Sequence, residues 1–173
     1  MFEQALPFAW LDGLPTSEAH SAFERCCASR RWVASMLARR PFGSSARLRQ
    51  AAREVWSGLE RADYLEAFAG HPPIGASMSA LRMKFVATHD WSSEEQAGVS
   101  QADESLLLAL AHANRLYLER FGYVFIVCAT GKTAPELLEL LLARLSNLPE
   151  QELVLAAAEQ AKITELRLEK LAP

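Results

Sequence analysis

Apolar residues recur at three- and four-residue spacing along most of the chain, which predicts helices nearly throughout. Thr16 and Ser17 can cap a helix from about Glu18 through Ala28. Arg31 to Ala38 continues as helix until Pro41 stops it. Ser44 or Ser45 can cap the next helix, where Leu48, Ala52, Val55 and Leu59 share a face. A short helix near Asp63 to Ala69 ends at Gly70, read as a C′ glycine. Ser77 to Val86 reads as helix, and Ser92-Ser93-Glu94-Glu95 as a capping box opening another. Asp103 to Arg120 is a strong helix, with Leu106, Leu110, Ala113 and Leu116 or Tyr117 on one face. Thr133-Ala134-Pro135-Glu136 is a second capping box, for a helix to about Leu145. Pro149 begins a last helix that reaches about Leu171.

Two stretches break this rhythm. His71-Pro72-Pro73-Ile74-Gly75 is a stiff loop, because paired prolines bar helix. Val124 to Cys128 is short, apolar and β-branched, so it is expected to be extended and buried. A lone extended segment among helices must pair its backbone with side chains, another segment or a ligand. The expected fold is all-α: one domain over residues 1–173, a bundle of about seven or eight helices with that extended segment.

Composition narrows the function classes. A net charge of -3 gives no global attraction to nucleic acid. Arg30, Arg31, Arg39 and Arg40 flank Trp32 and read as a solvated helix face with an anchored indole. Cys26, Cys27 and Cys128 form no disulfide framework and suit a reducing, cytoplasmic setting. Met1 to Trp10 has no basic n-region, so no signal peptide is expected. No apolar run reaches the roughly 18 residues a membrane span needs.

Most catalytic signatures are absent, including His-Glu-x-x-His, Cys-x-x-Cys and Gly-rich phosphate loops. No metal site is expected, since His20, His71, His89 and His112 form no pair at ligand spacing. His71 is the best candidate for proton transfer: a stiff loop carries it, and imidazole titrates near neutrality. A plain surface histidine is the alternative. Glu95 can complete its capping box, or the same helix start can face an anionic substrate. Arg167 has no acid three or four residues away, so no local ion pair explains it. It is either a carboxylate-binding guanidinium or a surface arginine whose stem covers apolar neighbours.

Four ordered segments resemble the OHCU (2-oxo-4-hydroxy-4-carboxy-5-ureidoimidazoline) decarboxylase family. They are His71-Pro72-Pro73-Ile74-Gly75; Ser92-x-x-Glu95-Gln96-Ala97-Gly98; Phe121-Gly122-Tyr123-Val124-Phe125-Ile126-Val127-Cys128-Ala129-Thr130-Gly131-Lys132; and Ala161-Lys162-Ile163-Thr164-Glu165-Leu166-Arg167-Leu168. The resemblance implies cofactor-free decarboxylation of OHCU to (S)-allantoin in urate breakdown, by an all-α homodimer without nucleic-acid or membrane partners. It implies catalytic roles for His71 and Glu95. It implies substrate contacts from Pro72, Ser92, Gln96, Phe125, Ile126, Val127 and Arg167. The chemistry agrees, because the imidazoline ring can itself take the electron pair of the departing carboxylate. Two alternatives stay open: a non-enzymatic helical interaction domain using the Arg30–Arg40 surface, and an enzyme acting on another ureido acid.

Overall fold

A helix begins where its first unpaired N–H groups can be met or are missing, and this chain supplies such starts repeatedly. The structure, a computed structural model, describes residues 7–72 and 96–171. Among them are eight helices and no strand: α1 (Pro7–Gly13), α2 (Thr16–Cys26), α3 (Arg30–Ala38), α4 (Ser45–Ser57), α5 (Arg61–Ala69), α6 (Gln96–Phe121), α7 (Ala134–Arg144) and α8 (Pro149–Glu169). The all-α expectation holds, as does the extended, buried run near Val124–Cys128. Ser44 caps α4, its Oγ accepting the Arg47 N–H at 3.2 Å. Thr133 and Glu136 cap α7 reciprocally, and the Thr133 N–H reaches the Glu136 carboxylate at 2.7 Å. The same contacts hold the Glu136 carboxyl below its ordinary pKa.

Several boundaries differ from expectation. α1 was not anticipated at all. α2 starts after Pro15 with no side-chain cap, so neither Thr16 nor Ser17 serves as one. The chain turns extended at Cys27, and buried Ser29 recaps it, its Oγ accepting the Trp32 N–H at 3.3 Å. Gly70 has φ −73, a right-handed value open to any residue. Its lack of a side chain matters for packing instead: a Cβ there would lie 2.6 Å from the Ala28 Cβ. Residues expected in two helices join in one, as α6 runs unbroken from Gln96. Its buried face is Leu107, Leu110, Ala113 and Tyr117, while Leu116 is exposed. The expected Ser77–Val86 helix and Ser92–Glu95 capping box lie outside the described residues.

The described residues group into two compact units. The first draws on Met1–Gly70, Ile126–Cys128 and Ala157–Pro173. Its core centres on Trp32, fully buried, whose Nε1 donates to the Ala52 carbonyl at 3.3 Å. Phe23 meets the Trp32 ring edge-on at 5.9 Å and Phe42 at 6.2 Å, arrangements that each add about 0.5–1.5 kcal/mol beyond area burial. Trp56 Nε1 donates to the Ala157 carbonyl at 3.0 Å, tying α4 to α8. The Asp12 carboxylate accepts the Phe42 and Gly43 N–H groups at 2.9 Å each, so α1 anchors the loop before α4. Arg30, Arg31 and Arg39 form the expected solvated face, while Arg40 is half-buried. Arg30 pairs with Glu66, Arg31 with Asp63 and Arg39 with Glu54, while Arg40 donates to the carbonyls of Asp12 and Leu14.

The second unit draws on His71–Phe125 and Ala129–Ala156. Tyr117 sits at its centre, with the rings of Phe121, Phe125 and Tyr123 at 4.6, 5.2 and 5.9 Å. Glu152 is fully buried among donors. Tyr117 Oη, Arg144 Nε at 2.7 Å and Asn147 Nδ2 at 2.8 Å all give to its carboxylate. Arg144 also lies 4.6 Å over the Phe125 ring. Burial and the bond to Glu152 push the Tyr117 phenol well above its ordinary range. A buried carboxylate is tolerable here because every partner is a donor.

Candidate functional site

His71 follows Gly70, the residue that closes α5 and packs too close to Ala28 to carry a side chain. The side chain is half-buried, and Pro72 beside it is exposed. Local sequence thus puts an imidazole just past a helix end, beside a proline that stiffens the backbone.

The extended segment pairs one of its backbone groups with a side chain. Phe125, Ile126, Val127 and Cys128 are all buried, and no strand pairs with them among the described residues. The Cys128 N–H instead donates to Glu159 on α8 at 2.7 Å, and Glu159 also holds Lys162 Nζ at 2.5 Å. Glu159 was missed in the sequence. Its signal was the unpaired segment itself, which demanded an acceptor from another element.

Arg167 is half-buried on α8. Its Nη1 donates to the carbonyls of Arg25 and Cys26, at 3.4 and 3.3 Å. Those are among the last carbonyls of α2, which have no partner within the helix and favour a cation. Among the described residues, Arg167 Nε and Nη2 donate to no group. The guanidinium therefore keeps part of its fork available. Beside it, burial pushes the Cys26 thiol up from 9.0 to about 12 against the opposing charges of Arg167 and Arg25. Burial also raises Cys27 to about 11. Both stay protonated at neutral pH, so neither is an activated nucleophile.

Ser92 and Glu95 lie outside the described residues, and Gln96 is the first residue of α6. Among the sequence-selected residues, the first unit contains Ile126, Val127 and Arg167, and Glu159 in the same unit holds the neighbouring Cys128 N–H. His71, Pro72 and Phe125 belong to the second unit. Among the described residues no cluster of three or more His, Cys, Asp or Glu could hold a metal ion, and no helix is long and apolar enough to cross a membrane.

Comparison with known proteins agrees with the four motifs. The sequence model of the OHCU decarboxylase family matches residues 12–169. The uric acid degradation bifunctional protein TTL of Arabidopsis thaliana is 39% identical over 147 residues, covering 84% of this chain and 45% of that protein. This chain thus spans less than half of that bifunctional relative. The 2-oxo-4-hydroxy-4-carboxy-5-ureidoimidazoline decarboxylase of Amia calva is 30% identical over 139 residues, 80% of this chain and 78% of that one. A crystal structure of OHCU decarboxylase in the presence of (S)-allantoin superposes with a TM-score of 0.69 at 36% identity, over 86% of this chain and 94% of that one. A crystal structure of (S)-allantoin synthase shares the fold, with a TM-score of 0.65 at 19% identity over 93% of this chain and 52% of that one. With nearly its whole length matched by the family and by a solved member, this chain belongs to the OHCU decarboxylase family.

Proposed function

We propose that this chain decarboxylates OHCU to (S)-allantoin in urate degradation. The observation that carries this reading is the family match over residues 12–169, which spans every element of the described site. In the reaction the bond to the carboxylate breaks and carbon dioxide leaves. The electron pair passes into the imidazoline ring, which takes up one proton on a single face. OHCU anion plus a proton thus gives allantoin plus carbon dioxide. The protein must hold the carboxylate out of conjugation, stabilise charge moving into the ring and control the protonated face.

His71 supplies the proton transfer in this reading, and Glu95 orients the imidazole. Ser92, Gln96 and Pro72 are further substrate contacts in this reading. Arg167 binds a carboxylate or ureido oxygen through the donors that α2 leaves over. Phe125, Ile126 and Val127 bring backbone groups and an apolar surround that favours loss of a charged carboxylate. The decisive test supplies OHCU freshly made from urate and follows its decay and the handedness of the allantoin formed. Uncatalysed decay to racemic product would remove the reading.

The same reading extends to assembly and place. A homodimer is supported by large apolar residues left exposed in the second unit, among them Leu108, Leu118, Leu142, Leu148 and Val154. A second copy is the occupant proposed for them. A reducing, cytoplasmic setting is supported by three buried free cysteines.

A further inference from the structure

We propose that Glu159 is a positioning residue that, by holding the Cys128 N–H, aims the Val127 carbonyl at a substrate N–H; this rests on the decarboxylase reading above. Every atom of the argument lies in the first unit. The Glu159 carboxylate takes the Cys128 amide at 2.7 Å, a charge-assisted bond of the stronger kind. The Val127–Cys128 peptide is trans, since the cis bond recorded in the chain is Arg40–Pro41. A trans peptide is planar, with its N–H and C=O pointing in opposite directions. Holding the Cys128 N–H therefore fixes the Val127 carbonyl, turned away from the Glu159 carboxylate. Among the described residues that carbonyl accepts no hydrogen bond. A backbone carbonyl with no partner in the chain keeps its acceptor capacity for a ligand or water. Allantoin and its precursor carry ring and ureido N–H groups, which are donors of the required kind.

The surroundings of Glu159 fit a positioning role. Lys162 Nζ, at 2.5 Å, offsets its charge, so an acid can stand close to a site for an anion. Arg167 lies eight residues further along α8, about 12 Å by helical rise. Elsewhere on α8, buried Gln160 donates to Thr164 Oγ1 at 3.1 Å. One helix thus carries both the acceptor for the extended segment and the arginine.

The test uses two variants and one resonance. Val127-Cys128 is the one Val–Cys pair in the chain, so carbonyl-13C valine with 15N cysteine yields a single carbonyl–amide cross peak for this peptide. Adding (S)-allantoin to the wild-type protein is expected to move its 13C coordinate. Glu159→Ala is expected to lose on the order of tenfold or more in kcat/KM for OHCU. Glu159→Gln keeps an acceptor oxygen and is expected to stay within about threefold of wild type. A wild-type peak unmoved at saturating (S)-allantoin overturns the assignment, whether or not the variants fold. So does full activity in Glu159→Ala, or an equal loss in both variants. A wild-type chain that neither speeds OHCU decay nor binds (S)-allantoin takes down the functional reading itself. Activity with an unmoved peak removes only the role given to Val127.

Discussion

Arg167→Ala separates anchoring from the proposed substrate binding, because Nη1 serves the α2 carbonyls and the other donors are the ones proposed for substrate. Its bonds to the Arg25 and Cys26 carbonyls are long, at 3.4 and 3.3 Å, and go to neutral acceptors. At the low end of the usual range, together they stabilise the fold by about 1 kcal/mol. In a domain of this size that corresponds to a fall of about 2–4 °C in Tm. The donors proposed for substrate are charged groups meeting a charged or polarised oxygen, worth about 1.5–3 kcal/mol. Their loss should lower kcat/KM roughly ten- to hundredfold. Arg167→Lys keeps the charge, but one ammonium cannot span the α2 carbonyls and fork a planar carboxylate. It should therefore recover Tm more fully than activity. Thermal melting and initial rates on freshly generated OHCU measure both effects. A lowered Tm with unchanged kcat/KM would leave Arg167 as a helix anchor only. An unchanged Tm would contradict the contacts to α2.

His71→Asn should reduce the rate by about 10²–10⁴-fold with little change in Tm, and Glu95→Gln should also reduce it, although glutamine can still complete a capping box; normal rates in both would remove the acid–base roles. Glu152→Ala strands the Arg144 guanidinium in the second unit's core, so stability should fall by about 3–5 kcal/mol, read by denaturant unfolding. A loss below about 1 kcal/mol would show that the buried ion pair contributes little. Sedimentation should give twice the 19.2 kDa chain mass, and Leu142→Glu with Val154→Glu should return it to one; a wild-type monomer at micromolar concentration contradicts the dimer.

Local signals made the helices legible. Ser44, the Thr133–Glu136 box and Pro149 each mark a start by chemistry that needs no distant partner. The run from Val124 to Cys128 was legible for the same reason, as β-branched apolar residues resist helix. What stayed hidden depends on residues far apart in sequence. Gly70 fits a C′ glycine in the sequence, yet it is required by Ala28 across the α2–α3 turn. Glu152 resembles any helix-opening acid until Tyr117, Arg144 and Asn147 surround it. Arg167 could be singled out by lacking an acid neighbour, but its carbonyl partners lie 141 and 142 residues away. Glu159 escaped notice because its partner is a backbone amide, which carries no side-chain signature.

The central claim is that this chain turns OHCU into one enantiomer of allantoin. The most direct measurement forms OHCU in place from urate with the upstream enzymes, adds the protein and follows circular dichroism. The account predicts faster decay of the OHCU signal and accumulation of (S)-allantoin, with a rate proportional to protein concentration. Decay at the uncatalysed rate to optically inactive allantoin would contradict it.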